Sequence, residues 1–256
     1  MRKKLVAGNW KMHGSIQANA ALLDGVIAGL SGVDSEVLVC VPYPYLAQVS
    51  AKVQRSRLML GAQNVSQHEA GAYTGEVAAA MLAEFGCAYV IVGHSERRAL
   101  FGETDQVVAM KCAAVLAAGM SPVLCVGESL AERDSGRAKS VVSRQLSVVL
   151  DCLGVAGFAK VVVAYEPVWA IGTGLTATPF QAQEMHAAIR AQVAALSPVV
   201  AENLRILYGG SVKPDNAGAL MAAGDIDGFL VGGASLEAPS LLAIARAAAT
   251  APSSNP

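Results

Sequence analysis

VVVAYEPVWAIGTGLT, residues Val161–Thr176, is the stretch on which the interpretation of the whole sequence depends. Its run of β-branched residues leads to a single carboxylate, Glu166, and Pro167 then ends any strand. An apolar loop and two glycines, Gly172 and Gly174, follow. This pattern predicts a buried strand with one acid at its C-terminal end, beneath a loop that closes over it. On this stretch alone, a solvated glutamate before a turn remains the alternative.

Short apolar runs like this one alternate with helical patterns along the entire chain. The runs are continuously apolar, as parallel strands buried on both faces are, and they recur at a spacing of roughly 30 residues. The predicted strands are Lys4–Gly8, Val37–Val41, Leu58–Ala62, Tyr89–Val92, Pro122–Val126, Val161–Tyr165, Arg205–Tyr208 and Gly228–Val231. The predicted helices are Ser15–Leu30, Pro44–Lys52, Val77–Phe85, Asp105–Ala118, Arg137–Leu150, Thr178–Leu196, Asn216–Ala222 and Leu241–Thr250.

This order of elements predicts an α/β protein built as one closed (β/α)8 barrel. Eight strand–helix units in about 250 residues fit such a barrel, and no linker divides the chain. We expect residues 1–250 to form this single domain and residues 251–256 to form a loose tail. A doubly wound open sheet is the alternative, but no GxGxxG motif follows the first strand.

The composition argues against several classes of protein. The 256 residues are 54% hydrophobic and 15% charged, which suits a globular core. A net charge of −1 and 5% aromatic residues give no indication of nucleic-acid binding. The most apolar region, Cys112–Gly127, is interrupted by Ser121-Pro122, so no membrane span is predicted. The N-terminal residues lack the apolar segment of a signal peptide.

The cysteines and histidines do not form a metal-binding pattern. Five cysteines without a CxxC spacing indicate buried free thiols in a reducing, cytoplasmic compartment: Cys40, Cys87, Cys112, Cys125 and Cys152. Of the histidines, His13, His68 and His186 are predicted to lie at the surface. Dispersed carboxylates and one remaining histidine lack the spacing of a metal site, and we expect none.

The ends of the predicted strands carry the polar residues that suggest chemistry. In a closed barrel, the C-terminal ends of all strands converge on one face. Asn9 and Lys11 follow the first strand, and His94 follows the fourth. The other residues at this face are Ser95, Glu96, Glu128, Glu166, Gly209-Gly210-Ser211 and Gly232-Gly233. Their convergence distinguishes this set from scattered surface polar residues.

Two glycine pairs at adjacent strand ends predict a phosphate site. Without Cβ atoms the backbone approaches an anion closely, although tight turns alone would also explain each pair. His94 precedes SERR, and a helix N-terminus there would favour a neutral imidazole as proton donor. The sequence thus offers a base, a neutral electrophile, a cation, a phosphate nest and a lid. This combination suits proton abstraction beside a carbonyl in a small phosphorylated substrate.

Five motifs together resemble one known family. AGNWKMHG, VGHSERR, AYEPVWAIGTG, YGGSV and VGGASL are similar, in this order, to the motifs of the triosephosphate isomerase family, and the resemblance runs from Val6 to Leu242. It implies a TIM barrel that interconverts dihydroxyacetone phosphate and D-glyceraldehyde 3-phosphate in glycolysis and gluconeogenesis. It also implies that neither a metal nor a cofactor takes part.

The resemblance implies a role for each strand-end residue. Glu166 would move a proton between C1 and C2, and His94 would polarise the carbonyl; this family is a well-known example of such pKa tuning. Lys11 and Asn9 would contact the substrate oxygens. Further implied are phosphate contacts at Gly172, Ser211, Gly232 and Gly233, supporting residues Ser95, Glu96 and Cys125, and a lid at Pro167–Thr176.

A homodimer is also implied, because the long third loop of this family reaches into the neighbouring subunit. That loop is Gln63–Glu76 here, and the implied interface residues are Thr74, Gly75, Glu76 and Arg97. The lid departs from the family pattern at Leu175, where many members have lysine. We expect the lid to close, because a hinge needs backbone freedom rather than a charge.

Two other functions remain open at this point. A different sugar-phosphate isomerase would share the phosphate corner but need other groups after strands one, four and six. A catalytically silent sugar-phosphate sensor would need the phosphate corner without a base. The presence of both Glu166 and His94 argues against the sensor.

Overall fold

Eight parallel strands close into a barrel in the computed structural model, which describes residues 2–173 and 175–249. The strands are β1 (Leu5–Asn9), β2 (Glu36–Val41), β3 (Met59–Ala62), β4 (Tyr89–Val92), β5 (Ser121–Val126), β6 (Val162–Tyr165), β7 (Ile206–Tyr208) and β8 (Gly228–Val231). They pair in chain order, which confirms the predicted (β/α)8 barrel and excludes the open sheet. The predicted tail 251–256, Thr250 of the last predicted helix and Gly174 of the predicted lid lie outside the described residues.

Helices cover the outside of the barrel. They are α1 (Ile16–Gly29), α2 (Leu46–Val53), α3 (Ala79–Glu84), α4 (Ser95–Phe101), α5 (Asp105–Ala117), α6 (Leu130–Asp134), α7 (Ala138–Phe158), α8 (Pro179–Ala194), α9 (Pro198–Asn203), α10 (Pro214–Met221) and α11 (Ala238–Ala249). The sequence predictions lack α6 and α9, and they include α4 only as a helix start at SERR without an end. Helices of seven, five and six residues make at most about two turns, too few to display a hydrophobic period.

Alternation of side chains along the strands determines which residues reach the mouth of the barrel. In β6, Val162 and Ala164 belong to the cluster that fills the barrel interior, so Glu166 continues the same inward face. In β1, Leu5 and Ala7 belong to this cluster, and Asn9 follows them. The strand residues between them point outward and pack against the helices in a second, larger core.

The pairing of β8 with β1 closes the barrel. Leu5 lies opposite Gly228 and Gly8 opposite Val231. The Leu5 N–H also donates to the carbonyl of Asp227, 3.0 Å away, just before β8 begins. This register brings the C-terminal end of β1 beside the glycines that follow β8.

Four of the five thiols are buried. Cys40, Cys87, Cys112 and Cys125 are enclosed in the core, as predicted, but Cys152 is exposed. Cys152 lies on α7, whose inner face is formed by other residues such as Val149. The apolar run around Cys152 belongs to a helix with one solvent-facing side. Apolar neighbours in the sequence therefore wrongly indicated that this thiol is buried.

Among the described residues, α7 is the one helix long and apolar enough to cross a membrane. It packs Val142, Leu146 and Val149 into the core of the barrel. Its backbone leaves the helical conformation at Gly154, where φ is 65° and ψ is 164°, and it runs beyond the predicted end at Leu150. A helix that packs against a barrel can be as long and as apolar as a membrane-spanning helix. The expected absence of a membrane partner therefore stays a prediction.

His186 is fully buried, so its predicted surface position is wrong. It lies on α8, and its ring packs edge-on against Tyr165, with centroids 5.9 Å apart. Nδ1 is 3.3 Å from the carbonyl oxygen of Asp225, while Nε2 has no hydrogen-bond partner among the described residues. Burial lowers the pKa of His186 from 6.5 to about 4, although Asp225 and Asp227 act in the opposite direction.

We predict that His186 makes the protein less stable in mild acid. Between pH 6.5 and about 4, the unfolded chain binds a proton that the folded chain excludes. The free energy of unfolding should therefore fall with decreasing pH, by about 1.4 kcal/mol per pH unit from this group. Full stability from His186 is present above pH 6.5.

His186→Gln provides the measurement, because glutamine stays neutral while the surrounding carboxylates still titrate. Denaturant unfolding at fixed protein concentration, at pH 7 and pH 4.5, should show a smaller loss of stability in this variant than in the parent. Equal losses would contradict the prediction.

Candidate active site

One cavity at the C-terminal ends of the strands is lined by the residues predicted to carry out the chemistry. It has a volume of about 670 Å³. It contains all the residues predicted to act in catalysis or substrate binding: Asn9, Lys11, His94, Glu166, Gly172, Ser211, Gly232 and Gly233. Ile171 lines the cavity as part of the predicted lid, whereas the predictions lacked Leu230 from β8 and Lys213 and Glu237 from the rim.

Glu166 lies at the floor of this cavity and is only 2% exposed. Its Oε2 accepts a hydrogen bond from the Ser95 N–H at 2.9 Å, and its Oε1 lies 2.8 Å from Nε2 of His94, outside hydrogen-bond geometry. Burial raises the pKa of Glu166, but His94, the Ser95 N–H and Lys11 outweigh it. The pKa therefore lies below its ordinary value, and the carboxylate is ionised at neutral pH.

The backbone of Glu166 is fixed by residues at the end of the neighbouring strand β5. Its N–H donates to the Val126 carbonyl at 2.8 Å. Gly127 directly follows β5 and packs against Glu166 so closely that a Cβ on Gly127 would lie 1.7 Å from the Glu166 carbonyl oxygen. Gln145 holds Gly127 through both main-chain groups, at 2.8 and 3.1 Å. A position this crowded requires glycine.

His94 caps the N-terminus of α4. Its Nδ1 accepts a hydrogen bond from the Glu96 N–H at 3.3 Å, so Nδ1 is unprotonated and Nε2 carries the proton toward the cavity. Burial lowers the pKa of His94, but the Glu166 and Glu96 carboxylates together outweigh burial, and the net direction is upward. This upward shift comes from the close contacts of His94 with Glu166 and Glu96.

Lys11 places a positive charge in the cavity beside Asn9. Its Nζ donates to Oε1 of Glu96 at 2.5 Å. Its backbone has φ of +52°, the one positive value for a non-glycine residue among those described, and its N–H donates to Oδ1 of Asn9 at 3.0 Å. Such strain persists where surrounding contacts enforce it, as at functional sites.

The glycine-rich corner lies across the cavity from α4. Ser211, Gly232 and Gly233 all line the cavity, as do Gly209 and Gly210. A short 3-10 helix, Gly233–Leu236, begins at this point, and Ser235 holds its first turn with a 2.7 Å hydrogen bond from Oγ to the Gly232 carbonyl. Free N–H groups at a helix start are suited to bind an anion.

Glu128 supports the root of the lid rather than the cavity, where the sequence had placed it. It is fully buried, and its Oε1 accepts hydrogen bonds from Arg133 at 3.0 Å, Tyr165 at 3.1 Å and Trp169 at 2.9 Å. The Arg133 guanidinium also lies over the Trp169 ring, 4.9 Å from its centroid. These contacts anchor the first residues of the lid to the barrel.

In the far part of the lid, described hydrogen bonds involve Thr173. Thr173 Oγ1 donates to the Trp169 carbonyl at 2.9 Å and accepts from the Leu175 N–H at 3.3 Å. Leu175, the residue that departs from the family pattern, has its side chain largely in solvent. No described contact of this side chain explains the leucine.

The three residues predicted to support the site lie next to it. Ser95 and Glu96 contact Glu166 and Lys11, as described above. Cys125 is on β5, within the interior cluster beneath the cavity. Burial raises the pKa of the Cys125 thiol well above its ordinary value, so this thiol stays protonated.

The predicted interface residues lie outside this cavity. Thr74, Gly75 and Glu76 are exposed in the long third loop, whereas Arg97 is half-buried and donates to Glu103 at 2.5 Å. A second cavity of about 330 Å³ adjoins the first and is lined in part by Arg97. Within residues 2–173 and 175–249, no group of three or more His, Cys, Asp or Glu side chains could hold a metal ion. The expected absence of metal stays a prediction.

Known proteins with similar sequences point to one family. The sequence model of the family described as "Triosephosphate isomerase" matches residues 4–248. A triosephosphate isomerase of Dechloromonas aromatica is 66% identical over 248 residues, which cover 97% of this chain and 100% of that relative. Those of Thiobacillus denitrificans and Nitrosomonas europaea are 62% and 54% identical, covering 97% and 96% of this chain and 100% and 98% of their own. This chain therefore belongs to the triosephosphate isomerase family.

Proposed function

We propose that this chain interconverts dihydroxyacetone phosphate and D-glyceraldehyde 3-phosphate through an enediolate intermediate, in glycolysis and gluconeogenesis. Membership of the family supports the reaction. The observation that carries the assignment of residues is the arrangement of Glu166 and His94, an ionised carboxylate and an Nε2–H donor in one cavity. Neither a metal nor a cofactor is needed for this proton transfer.

Glu166 acts in this proposal as the base that removes the proton from one substrate carbon and returns it to the next. Its lowered pKa ensures that it is ionised, and its burial keeps water from solvating the carboxylate. A bound substrate would separate Glu166 from His94. This separation removes the carboxylate's upward effect on the pKa of His94, so the imidazole stays a neutral donor to the carbonyl oxygen.

Lys11, Asn9 and the glycine corner hold the substrate. Lys11 stabilises the negative charge that develops on the oxygen, since a fixed cation in a partly water-excluded site acts strongly on nearby charge. The phosphate binds to backbone N–H groups of Gly172, Ser211, Gly232 and Gly233. Closure of the lid then excludes water, which protects the enediolate from losing its phosphate by elimination.

A homodimer in the cytoplasm completes the proposal. The exposed part of the third loop inserts into the second cavity of a neighbouring copy, near Lys11. The loop brings Glu69 and Glu76 to a cavity that is mixed in charge, because its Lys11 and Arg97 already pair with Glu96 and Glu103 of the same chain. Met12 and Phe101 line the same cavity and are 94% and 67% exposed in the single chain, as expected of surfaces that a partner covers.

We predict that Glu166→Gln removes the base while preserving the shape of the side chain. The turnover number should fall by at least about 10²–10⁴-fold, the effect expected when general-base catalysis is lost. Steady-state isomerisation of glyceraldehyde 3-phosphate measures this. Glu184→Gln on α8, which loses an exposed ion pair with Lys139, is the matched control and should retain parental turnover. Near-parental turnover in Glu166→Gln would overturn the assignment.

We also predict that solvent hydrogen enters the product. A proton held on Glu166 exchanges with solvent, so turnover in deuterated water should place deuterium on the product carbon that receives it. NMR of the product detects the label. A direct hydride shift would leave this carbon unlabelled and would exclude the enediolate mechanism.

A further inference from the structure

Residues 69–76 form an exposed loop that holds its own shape. All eight residues are exposed, and no helix or strand includes them. The loop is closed at its base by the Ser66 N–H, which donates to the Val77 carbonyl at 2.8 Å. At its tip, the Tyr73 N–H donates to the Gly71 carbonyl at 2.9 Å, and the Glu76 N–H donates to the Tyr73 carbonyl at 3.0 Å.

One side-chain contact spans this loop. The rings of His68 and Tyr73 are stacked, with centroids 3.9 Å apart and planes 3° from parallel. The His68 N–H donates to Ser66 Oγ at 3.3 Å, which ties one side of the stack to the closed base. Gly71 lies between His68 and Tyr73 in the sequence and has φ of +130°. This conformation lets the chain reverse and bring Tyr73 back to His68.

We propose that the His68–Tyr73 stack fixes the third loop in its docking shape before two copies of this chain meet, and so sets the affinity of the dimer. The proposal rests on the homodimer proposed above. A flexible loop of eight exposed residues would lose conformational entropy on docking, whereas a loop already shaped loses little. Tyr73 is 45% exposed, so one face of its ring stacks on His68 while the other part is open to a partner.

The expected size of the effect follows from the strength of an aromatic pair. Loss of one stacked pair weakens an association that depends on it by about 2- to 10-fold. A symmetric dimer docks two such loops, one from each copy, so both contributions are lost together. The dimer dissociation constant should therefore rise by about 4- to 100-fold in a variant without the stack.

The experiment compares His68→Ala with His68→Phe. Alanine removes the stack, while phenylalanine keeps an aromatic ring opposite Tyr73. Neither His68 nor Tyr73 lines the catalytic cavity. Sedimentation and activity are measured over a series of enzyme concentrations. We expect His68→Ala to dissociate and lose activity at higher concentrations than the parent, with parental turnover restored at high concentration. We expect His68→Phe to behave as the parent.

A second measurement separates loop shape from direct contact with the partner. At concentrations where each variant is monomeric, proteolytic cleavage within residues 69–76 should be faster in His68→Ala than in His68→Phe. Equal cleavage of the two monomers would overturn the proposal, because His68 would then act only at the interface.

The remaining outcomes are equally decisive. Parental dissociation of His68→Ala would overturn the proposal and leave the dimer intact. Equal weakening by alanine and phenylalanine would also overturn it, because a ring at this position would then not be what matters. A parent chain that is monomeric and fully active at all concentrations would overturn the proposed dimer itself.

Discussion

The site depends first on the pairing of β8 with β1. Strand β1 delivers Asn9 and Lys11, and the residues after β8 deliver Gly232 and Gly233. These two groups are more than two hundred residues apart in the chain and become neighbours only because the sheet closes on itself. In an open sheet, β1 and β8 would form opposite edges or stand apart, and the cation would not face the phosphate corner.

Three consecutive residues at the start of α4 connect the separate groups of the cavity. His94 points its protonated nitrogen toward the base, the Ser95 N–H binds the base directly, and Glu96 binds the cation. The helix start therefore sets the distances between acid, base and charge as one rigid unit. A helix of only seven residues is sufficient for this, because these three contacts all come from its N-cap and first turn.

Much of this arrangement could be predicted from the sequence, and the errors at His186 and Glu128 have a common cause. Strand ends are visible because an apolar run stops at proline, glycine or a polar residue, and a closed barrel then brings those ends together. The buried position of His186 was missed because a single histidine on a helix carries no local sign of the tyrosine that packs against it. Glu128 was assigned to the cavity because its place in the sequence does not reveal that Arg133, Tyr165 and Trp169 draw it beneath the lid. In both cases a partner far away in the chain was decisive, Tyr165 for His186 and Tyr165 with Trp169 for Glu128.

The contact between Gly127 and the Glu166 backbone has a consequence for how this sequence can change over time. Gly127 performs no chemistry, yet any side chain there would collide with the main chain that carries the base. Substitutions of Gly127 are therefore rejected for steric reasons alone, as stringently as substitutions of a reacting residue are. A survey of tolerated substitutions would find an invariant position with no chemical role, and invariance by itself would overstate the number of groups that take part in the reaction.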